Sequence, residues 1–226
     1  MYVTAIFLKH TTIRPNNSKD LSRKVGIIFR QISFLFSLFA IFLSQFSLAQ
    51  PSEVKLLSGI YNDSASYKIT GAKIFSHSVS PISAAVPFSI LVAGIIKKDS
   101  SLIENGIKAT VAYGFAAIVT TGMKYGVSRD RPFTSYPLLF RAKSDAGSYS
   151  FPSGHTSAAF AAATSLSLTC KKWYVIVPAY AWACGAAYSR MQLGVHYPTD
   201  VLMGALIGTA SSFLSFKIDR IMNKRR

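Results

Sequence analysis

Apolar stretches separated by short basic clusters run through this chain, and they limit its possible folds more than any other feature of the sequence. The stretches are Ile32–Ala49, Pro81–Ile96, Ile107–Met123, Thr156–Cys170, Trp173–Tyr188 and Val201–Phe216. Several fall short of the ideal span of about 20 residues, so they must tilt or include flanking residues to cross a bilayer. Only 15% of the residues are charged, against about 25% in soluble domains. The sequence therefore predicts an all-α, multi-span transmembrane helical bundle, with a soluble bundle of buried apolar helices as the alternative.

The positions of the positive charges predict how the chain is oriented. A formal net charge of +16 would suit nucleic-acid binding if the charges lined one continuous groove. They are instead divided among the N-terminal head, Lys97-Lys98, Lys171-Lys172 and the tail from Lys217, so we expect no nucleic-acid partner. Because cytoplasmic loops are enriched in Lys and Arg, these clusters are expected inside, and the segments Lys124–His155 and Ser189–Asp200 outside.

Four parts of the chain follow from this orientation. Residues 1–49 combine a basic head with an apolar stretch that is either a signal peptide cleaved after Ala49 or a retained first transmembrane helix. Residues 50–80 are mixed and polar, and we expect an external or interfacial segment there. Residues 81–216 form the membrane domain, where recurrent small residues would let helices approach closely. Residues 217–226 form a basic cytoplasmic tail.

Three polar clusters lie in the segments expected outside, and the first follows the third apolar stretch. Lys124 and Arg131 are seven residues apart, so both would point to one side if the helix continued as far as Pro132, which would end it. Taken alone, the pair is more typical of interfacial cations that reach lipid headgroups.

The second cluster, Pro152-Ser153-Gly154-His155, precedes the fourth apolar stretch. Ser153 can cap a helix, and Gly154 lets a ligand approach the backbone. The N–H groups of such a helix start, with the helix dipole behind them, favour an anion. Capping alone would explain the serine and the glycine. It does not explain His155, because ionisable groups at membrane depth are costly and usually functional.

The third cluster lies between the fifth and sixth apolar stretches. His196 and Asp200 are four residues apart, so the carboxylate could hydrogen-bond the imidazole if Pro198 begins the next helix. Such a bond would leave the other ring nitrogen free to act as a nucleophile. Arg190 carries a planar guanidinium that suits phosphate oxygens. Considered alone, the cluster is better explained as a structural His–Asp pair.

Together the three clusters resemble the signature of the type 2 phosphatidic acid phosphatase (PAP2) family, which includes glucose-6-phosphatases, bacterial acid phosphatases and vanadium haloperoxidases. The family pattern of K-x6-R-P, P-S-G-H and S-R-x5-H-x3-D is complete between Lys124 and Asp200. The resemblance implies a PAP2/haloperoxidase-like catalytic core of the kind found in bacterial membrane-bound lipid phosphatases.

The resemblance also implies a role for each matched residue. His196 would attack phosphorus and form a phosphohistidine, Asp200 would orient its imidazole, and His155 would act as general acid and then general base. The phosphate oxygens would be bound by Lys124, Arg131, Ser153, Gly154 and Arg190. No metal or other cofactor is expected, because the sequence offers neither a carboxylate pair nor a Cys/His cluster at ligand spacing.

A metal-independent phosphoric monoester hydrolase is therefore predicted, acting on a lipid phosphate at the periplasmic face of a bacterial inner membrane. The candidate substrates are phosphatidate, phosphatidylglycerophosphate, undecaprenyl pyrophosphate (an acid anhydride) and a lipid A phosphate. One alternative is a vanadate-dependent haloperoxidase, which the membrane spans disfavour. Another is a non-catalytic membrane protein that binds lipid phosphates, which the intact His155, His196 and Asp200 disfavour. The sequence does not indicate an oligomeric state.

Overall fold

The computed structural model of this chain describes residues 51–61 and 65–223, with side chains to Lys217. This part of the chain is helical and contains no β-strand. Its helices are α1 (Pro51–Tyr61), α2 (Ser66–Lys97), α3 (Ser100–Val127), α4 (Pro132–Ser135), α5 (Gly154–Cys170), α6 (Trp173–Gln192) and α7 (Pro198–Asn223). The basic head, and with it the choice between a signal peptide and a first transmembrane helix, lies outside the described residues.

Three stretches of the described chain are long and apolar enough to cross a membrane: Ser66–Lys97, Ser100–Ser135 and Pro198–Lys217. Large apolar side chains are exposed along all three, for example Ile96, Ile118 and Leu202. Exposed apolar surface of this extent marks a region that another apolar phase covers, and here that phase is lipid. The predicted all-α, multi-span transmembrane bundle is confirmed.

Helix α5 lies at the centre of the bundle, in contact with α2, α3, α6 and α7. Gly204 and Gly208 of α7 face it closely: an added Cβ atom would lie 2.6 Å from the Ser153 carbonyl oxygen and 2.2 Å from that of Ser157, respectively. At the start of both helices, the Ser153 N–H donates to the Asp200 carbonyl oxygen over 2.9 Å. Small residues therefore bring two helix N-termini together, as expected for membrane helices.

Most of the described residues in the segment 50–80 are helical. Helix α2 begins at Ser66, well before the predicted start of the apolar span at Pro81, and continues through that proline. Its polar side chains are used inside the bundle: the Trp182 indole donates to Ser78 Oγ over 3.0 Å. Ser76 and Ser78 make this segment look interfacial in the sequence, because their hydrogen-bond partners lie on α6, more than 100 residues away.

Basic turns and polar loops lie at opposite ends of the bundle. Helices α2 and α3 are joined at Lys98-Asp99, and α5 and α6 at Lys171-Lys172, so each pair is antiparallel. The loop 128–153 and the segment 193–197 connect the other ends, where the Lys143 N–H donates to the Leu193 carbonyl oxygen over 3.0 Å. The two segments predicted to be external therefore meet at one end.

Candidate active site

The three sequence clusters converge where the loop 128–153 meets the segment 193–197. His196 is 2% exposed and Asp200 is fully buried. A turn at Gly194, with a φ of 73°, leads the chain into His196. An added Cβ at Gly194 would lie 2.8 Å from the Tyr61 ring, so both the backbone conformation and the packing require glycine there.

Asp200 is held by donors on both of its carboxylate oxygens. Oδ2 accepts from the Tyr197 N–H at 2.8 Å and from the Ser150 hydroxyl, and lies 3.4 Å from His196 Nδ1. Oδ1 accepts from Arg129 Nη1 at 2.7 Å. With its orientation fixed in this way, the carboxylate faces the imidazole as predicted from the four-residue spacing.

Burial determines the charge of His196. Its loss of solvation lowers the pKa of the imidazole from 6.5 to about 3, against the opposing effect of Asp200. The ring is therefore neutral near pH 7. When Nδ1 carries the proton toward Asp200, the lone pair of Nε2 is available to attack an electrophile.

Arg131 faces that second nitrogen. Its Nη1 lies 3.4 Å from His196 Nε2 and donates to the Val195 carbonyl oxygen at 2.8 Å. Its Nε donates to the Ser148 carbonyl oxygen at 2.8 Å. Two backbone acceptors thus fix the guanidinium beside the atom that would attack.

Lys124 and Arg131 would share one helix face only if α3 continued to Arg131, and it does not. Helix α3 ends at Val127, and Ser128 adopts a left-handed conformation with a φ of 50°. The loop then carries Arg131 back toward the site, where Pro132 begins α4 rather than ending a helix. The two cations still converge, because Lys124 Nζ donates to the Tyr149 carbonyl oxygen and lies close enough to Arg131 for their charges to interact.

Arg190, in the last turn of α6, is 2% exposed. Its Nη1 donates to the Ser76 hydroxyl of α2. Its Nε is buried and has no hydrogen-bond partner within the described part of the chain. A buried donor without an acceptor is uncommon, and a phosphate oxygen would supply one.

The start of α5 forms the remaining side of the site. Ser153 caps the helix, its Oγ accepting from the Thr156 N–H at 3.5 Å and from the Thr156 hydroxyl at 3.0 Å. An added Cβ at Gly154 would meet only Thr120, at 3.8 Å, so packing does not explain the glycine. His155 follows, within range of the charges of Arg190, Arg131 and Lys124.

Two residues at this site were not singled out from the sequence. Arg129 and Glu53 are 2% and 8% exposed, and they form an ion pair of 2.6 Å. Arg129 lies within the first cluster, but its partner Glu53 is 76 positions away. The sequence around Glu53 is typical of a polar surface segment. A buried charge predicts that a partner exists, without indicating which residue it is.

Positive side chains, rather than clustered acids, surround His196. Among the described residues, no group of three His, Cys, Asp or Glu side chains is placed to hold a metal ion. The cations are Lys124, Arg131 and Arg190. Such an arrangement can bind a compact, multiply charged anion and stabilise further negative charge as it develops.

Comparison with known proteins finds a matching family and several relatives. A model of the PAP2 superfamily matches residues 105–223, which include all three clusters. An undecaprenyl-diphosphatase from Sulfolobus acidocaldarius is 34% identical over 114 residues, covering 50% of this chain and 55% of that protein. A decaprenylphosphoryl-5-phosphoribose phosphatase from Mycolicibacterium smegmatis is 34% identical over 140 residues, covering 60% of this chain and 71% of that protein. This chain thus spans about half the length of the first relative.

A solved structure has the same architecture. The crystal structure of Aquifex aeolicus LpxE aligns with a TM-score of 0.60 at 27% identity, covering 72% of this chain and 93% of that chain. The bundle described above is therefore an arrangement that an experimentally determined protein also adopts.

Proposed function

This chain belongs to the PAP2 superfamily, and on that premise we propose that it is a membrane phosphatase that hydrolyses lipid phosphates through a phosphohistidine on His196. The observation that carries the proposal is the buried, Asp200-oriented imidazole of His196 with Arg131 at its second nitrogen. The apolar outer surface of the bundle supports a substrate that arrives laterally, with its chain in the bilayer and its phosphate at the bundle end.

In the first step, His196 Nε2 attacks phosphorus as the bond from phosphorus to the lipid oxygen breaks. The bound phosphate offsets the nearby cations that disfavour a charged imidazole at His155, so His155 is protonated in the complex and gives its proton to that oxygen. The imidazole acquires positive charge, which Asp200 stabilises through Nδ1. Arg131, Arg190 and Lys124 bind the phosphoryl oxygens and the charge that develops on them.

In the second step, water replaces the imidazole on phosphorus. His155, now neutral, takes a proton from the water as its oxygen bonds to phosphorus. The bond between phosphorus and Nε2 breaks, inorganic phosphate leaves, and His196 returns to its neutral form. Protons, charge and the phosphoryl group balance over the cycle, and side chains of the site take every role in it, so the proposed mechanism includes no metal and no other cofactor.

The substrate class that we propose is a phosphate carried by a membrane lipid, as a monoester or as an anhydride. Two relatives support it, since one is an undecaprenyl-diphosphatase and the other a decaprenylphosphoryl-5-phosphoribose phosphatase. Phosphatidate, phosphatidylglycerophosphate, undecaprenyl pyrophosphate and a lipid A phosphate are the compounds to test first.

We assign the active site to the periplasmic face of a bacterial inner membrane. The support is the position of the basic turns at Lys98 and Lys171, at the end of the bundle opposite to His196. Lys and Arg accumulate on the cytoplasmic side of membrane proteins. The site would then face outward.

Phosphate release from those four lipids by the purified protein in detergent tests the proposal. We expect turnover of at least one lipid, loss of turnover in His196→Ala, and no effect of a metal chelator. Vanadate should inhibit, because it can become five-coordinate on His196 and resemble the transition state. Activity that disappears in chelator and returns with magnesium would reject the mechanism. Turnover that His196→Ala retains would reject the nucleophile.

A further inference from the structure

A chain of buried charges connects helix α1 to His196. Glu53 Oε2 accepts from Arg129 Nη2 at 2.6 Å, and Arg129 Nη1 donates to Asp200 Oδ1 at 2.7 Å. The other oxygen of Asp200 lies 3.4 Å from His196 Nδ1. The two carboxylates thus share one guanidinium, and the set from Glu53 to Asp200 carries a net charge of −1.

We propose that Arg129 and Glu53 are positioning residues for the phosphatase reaction, which act on His196 through Asp200. The inference rests on the proposed function of the site and adds two residues to it. Neither residue touches the phosphate; together they fix the carboxylate and set how much negative charge it presents to the imidazole.

Contacts at both Nη atoms and at the face of the guanidinium fix Arg129, whereas its Nε is buried with no hydrogen-bond partner in the described part of the chain. Its Nη1 also donates to the Thr199 hydroxyl at 2.8 Å, and the guanidinium carbon lies 4.1 Å from the centre of the Tyr197 ring. Cations favour the face of an aromatic ring. A group held this firmly gives Asp200 Oδ1 a donor in one place, which leaves Oδ2 directed at His196.

Glu53 binds more than Arg129. Its Oε1 accepts from the Thr199 N–H at 2.9 Å and from the Thr199 hydroxyl. Thr199 lies in the first turn of α7, where an anion is stabilised by the unsatisfied N–H groups. Glu53 therefore ties α1 both to Arg129 and to the helix that begins beside His196.

The charge of Glu53 matters for the chemistry. Arg129 alone would neutralise Asp200 and weaken its attraction for the positive imidazole that forms during attack. With Glu53 sharing the guanidinium, Asp200 keeps negative charge for that purpose. Arg131 and Arg190 act on His196 in the opposite sense, and Lys124 and His155 line the same site. The net electrostatic effect on the His196 imidazole therefore depends on the negative charge of Glu53.

A purely stabilising role is the main competing explanation. Buried ion pairs lose much of their attraction to desolvation, and apolar side chains of similar volume often stabilise a fold equally well. Three buried charges are therefore a poor choice for stability alone. Leu57, one turn after Glu53 on α1, already supplies apolar packing against Tyr197 and Phe140. This leucine provides a matched control.

The test compares Leu57→Ala with the double variant Glu53→Gln/Arg129→Gln, which removes one negative and one positive charge together and leaves Asp200 with its neutral donors, the Ser150 hydroxyl and the Tyr197 N–H. We expect the double variant to lower kcat about 10- to 100-fold, the size of loss that misplaced groups cause, with KM within about twofold. In ¹⁵N-histidine NMR of the whole protein, His196 should be a single Nδ1–H tautomer in the wild type and in Leu57→Ala. The double variant should show a mixture of tautomers.

A single variant, Glu53→Gln, tests whether the charge of Glu53 affects the protonation of His196. Losing a negative charge near His196 makes its protonation harder, so the acid limb of kcat/KM should move to lower pH. Leu57→Ala should leave that limb in place. Wild-type kcat with one tautomer in the double variant, or the same kinetic and NMR changes in Leu57→Ala, would overturn the proposal. Absence of any phosphate release by the wild type would instead refute the proposed function, and the NMR comparison would still decide the positioning claim.

Discussion

At the scale of single residues, the two histidines of the candidate site occupy different surroundings. His196 is buried against Asp200 and Arg131, whereas His155 opens the first turn of α5 and is only partly buried. A nucleophile is needed for every substrate. A general acid is needed most when the leaving group is a poor one. The two residues should therefore respond differently to a change of leaving group.

His155→Ala should separate the two steps on nitrophenyl phosphate. Nitrophenolate leaves without a proton, so phosphorylation of His196 should stay fast, while hydrolysis of the phosphohistidine becomes slow because His155 also activates water. We expect a burst of about one nitrophenolate per enzyme followed by a slow steady state, in a stopped-flow measurement. On a lipid phosphate the same variant should lose about 10²- to 10⁴-fold in rate.

His196→Ala is the matched control, and it should show neither burst nor turnover. A burst from this variant would reverse the assignment of the two histidines. So would normal turnover without a burst in His155→Ala.

At the scale of helices, the crossing of α5 and α7 places the site. Gly208 lies where an added Cβ would be 2.2 Å from the Ser157 carbonyl oxygen, and Ser212 Oγ donates to the Ala161 carbonyl oxygen at 2.9 Å. A methyl group at Gly208 cannot be accommodated by rotating a side chain, because its neighbour is backbone. The helices would have to separate.

Gly208→Ala should therefore destabilise the protein by about 1–3 kcal/mol, as overpacking does elsewhere. Gly114→Ala in α3 is the matched control, since an added Cβ there meets nothing within 4 Å. It should be neutral or slightly stabilising, because alanine favours helix over glycine by about 1 kcal/mol. Thermal unfolding in detergent measures both. Equal melting temperatures for the two variants would contradict the close crossing.

The helices were largely predictable from the sequence, and their ends were less so. Apolar runs located the spans because a lipid-facing helix must be apolar over most of its length. The start of α2 at Ser66 was missed because Ser76 and Ser78 find their partners on α6. Nothing in the sequence near Ser128 indicates that this residue adopts a left-handed conformation, so the end of α3 at Val127 was not predicted.

The candidate catalytic residues were predictable for a related reason: each lies at a fixed spacing within a short local motif. The ion pair between Glu53 and Arg129 was not, because it joins segments whose contact only the folded bundle creates.

At the scale of the whole molecule, the proposed orientation places the site and the basic turns on opposite sides of the membrane. Asp145 is exposed in the loop beside the site, and Lys98 is exposed at the opposite end. In a background lacking Cys170 and Cys184, Asp145→Cys should react with an impermeant thiol reagent in intact cells with a permeabilised outer membrane. Lys98→Cys should react only after lysis, and the reverse pattern would reject the orientation.

The most direct test of the central claim is to find the phosphoryl group itself. His155→Ala should be mixed with nitrophenyl phosphate, quenched in alkali because phosphohistidine is unstable in acid, and analysed by peptide mass spectrometry. We predict one phosphoryl group per chain, located on His196, which disappears when His196 is also replaced by alanine. A phosphoryl group on any other residue, or a burst of nitrophenolate without a phosphorylated chain, would contradict the account.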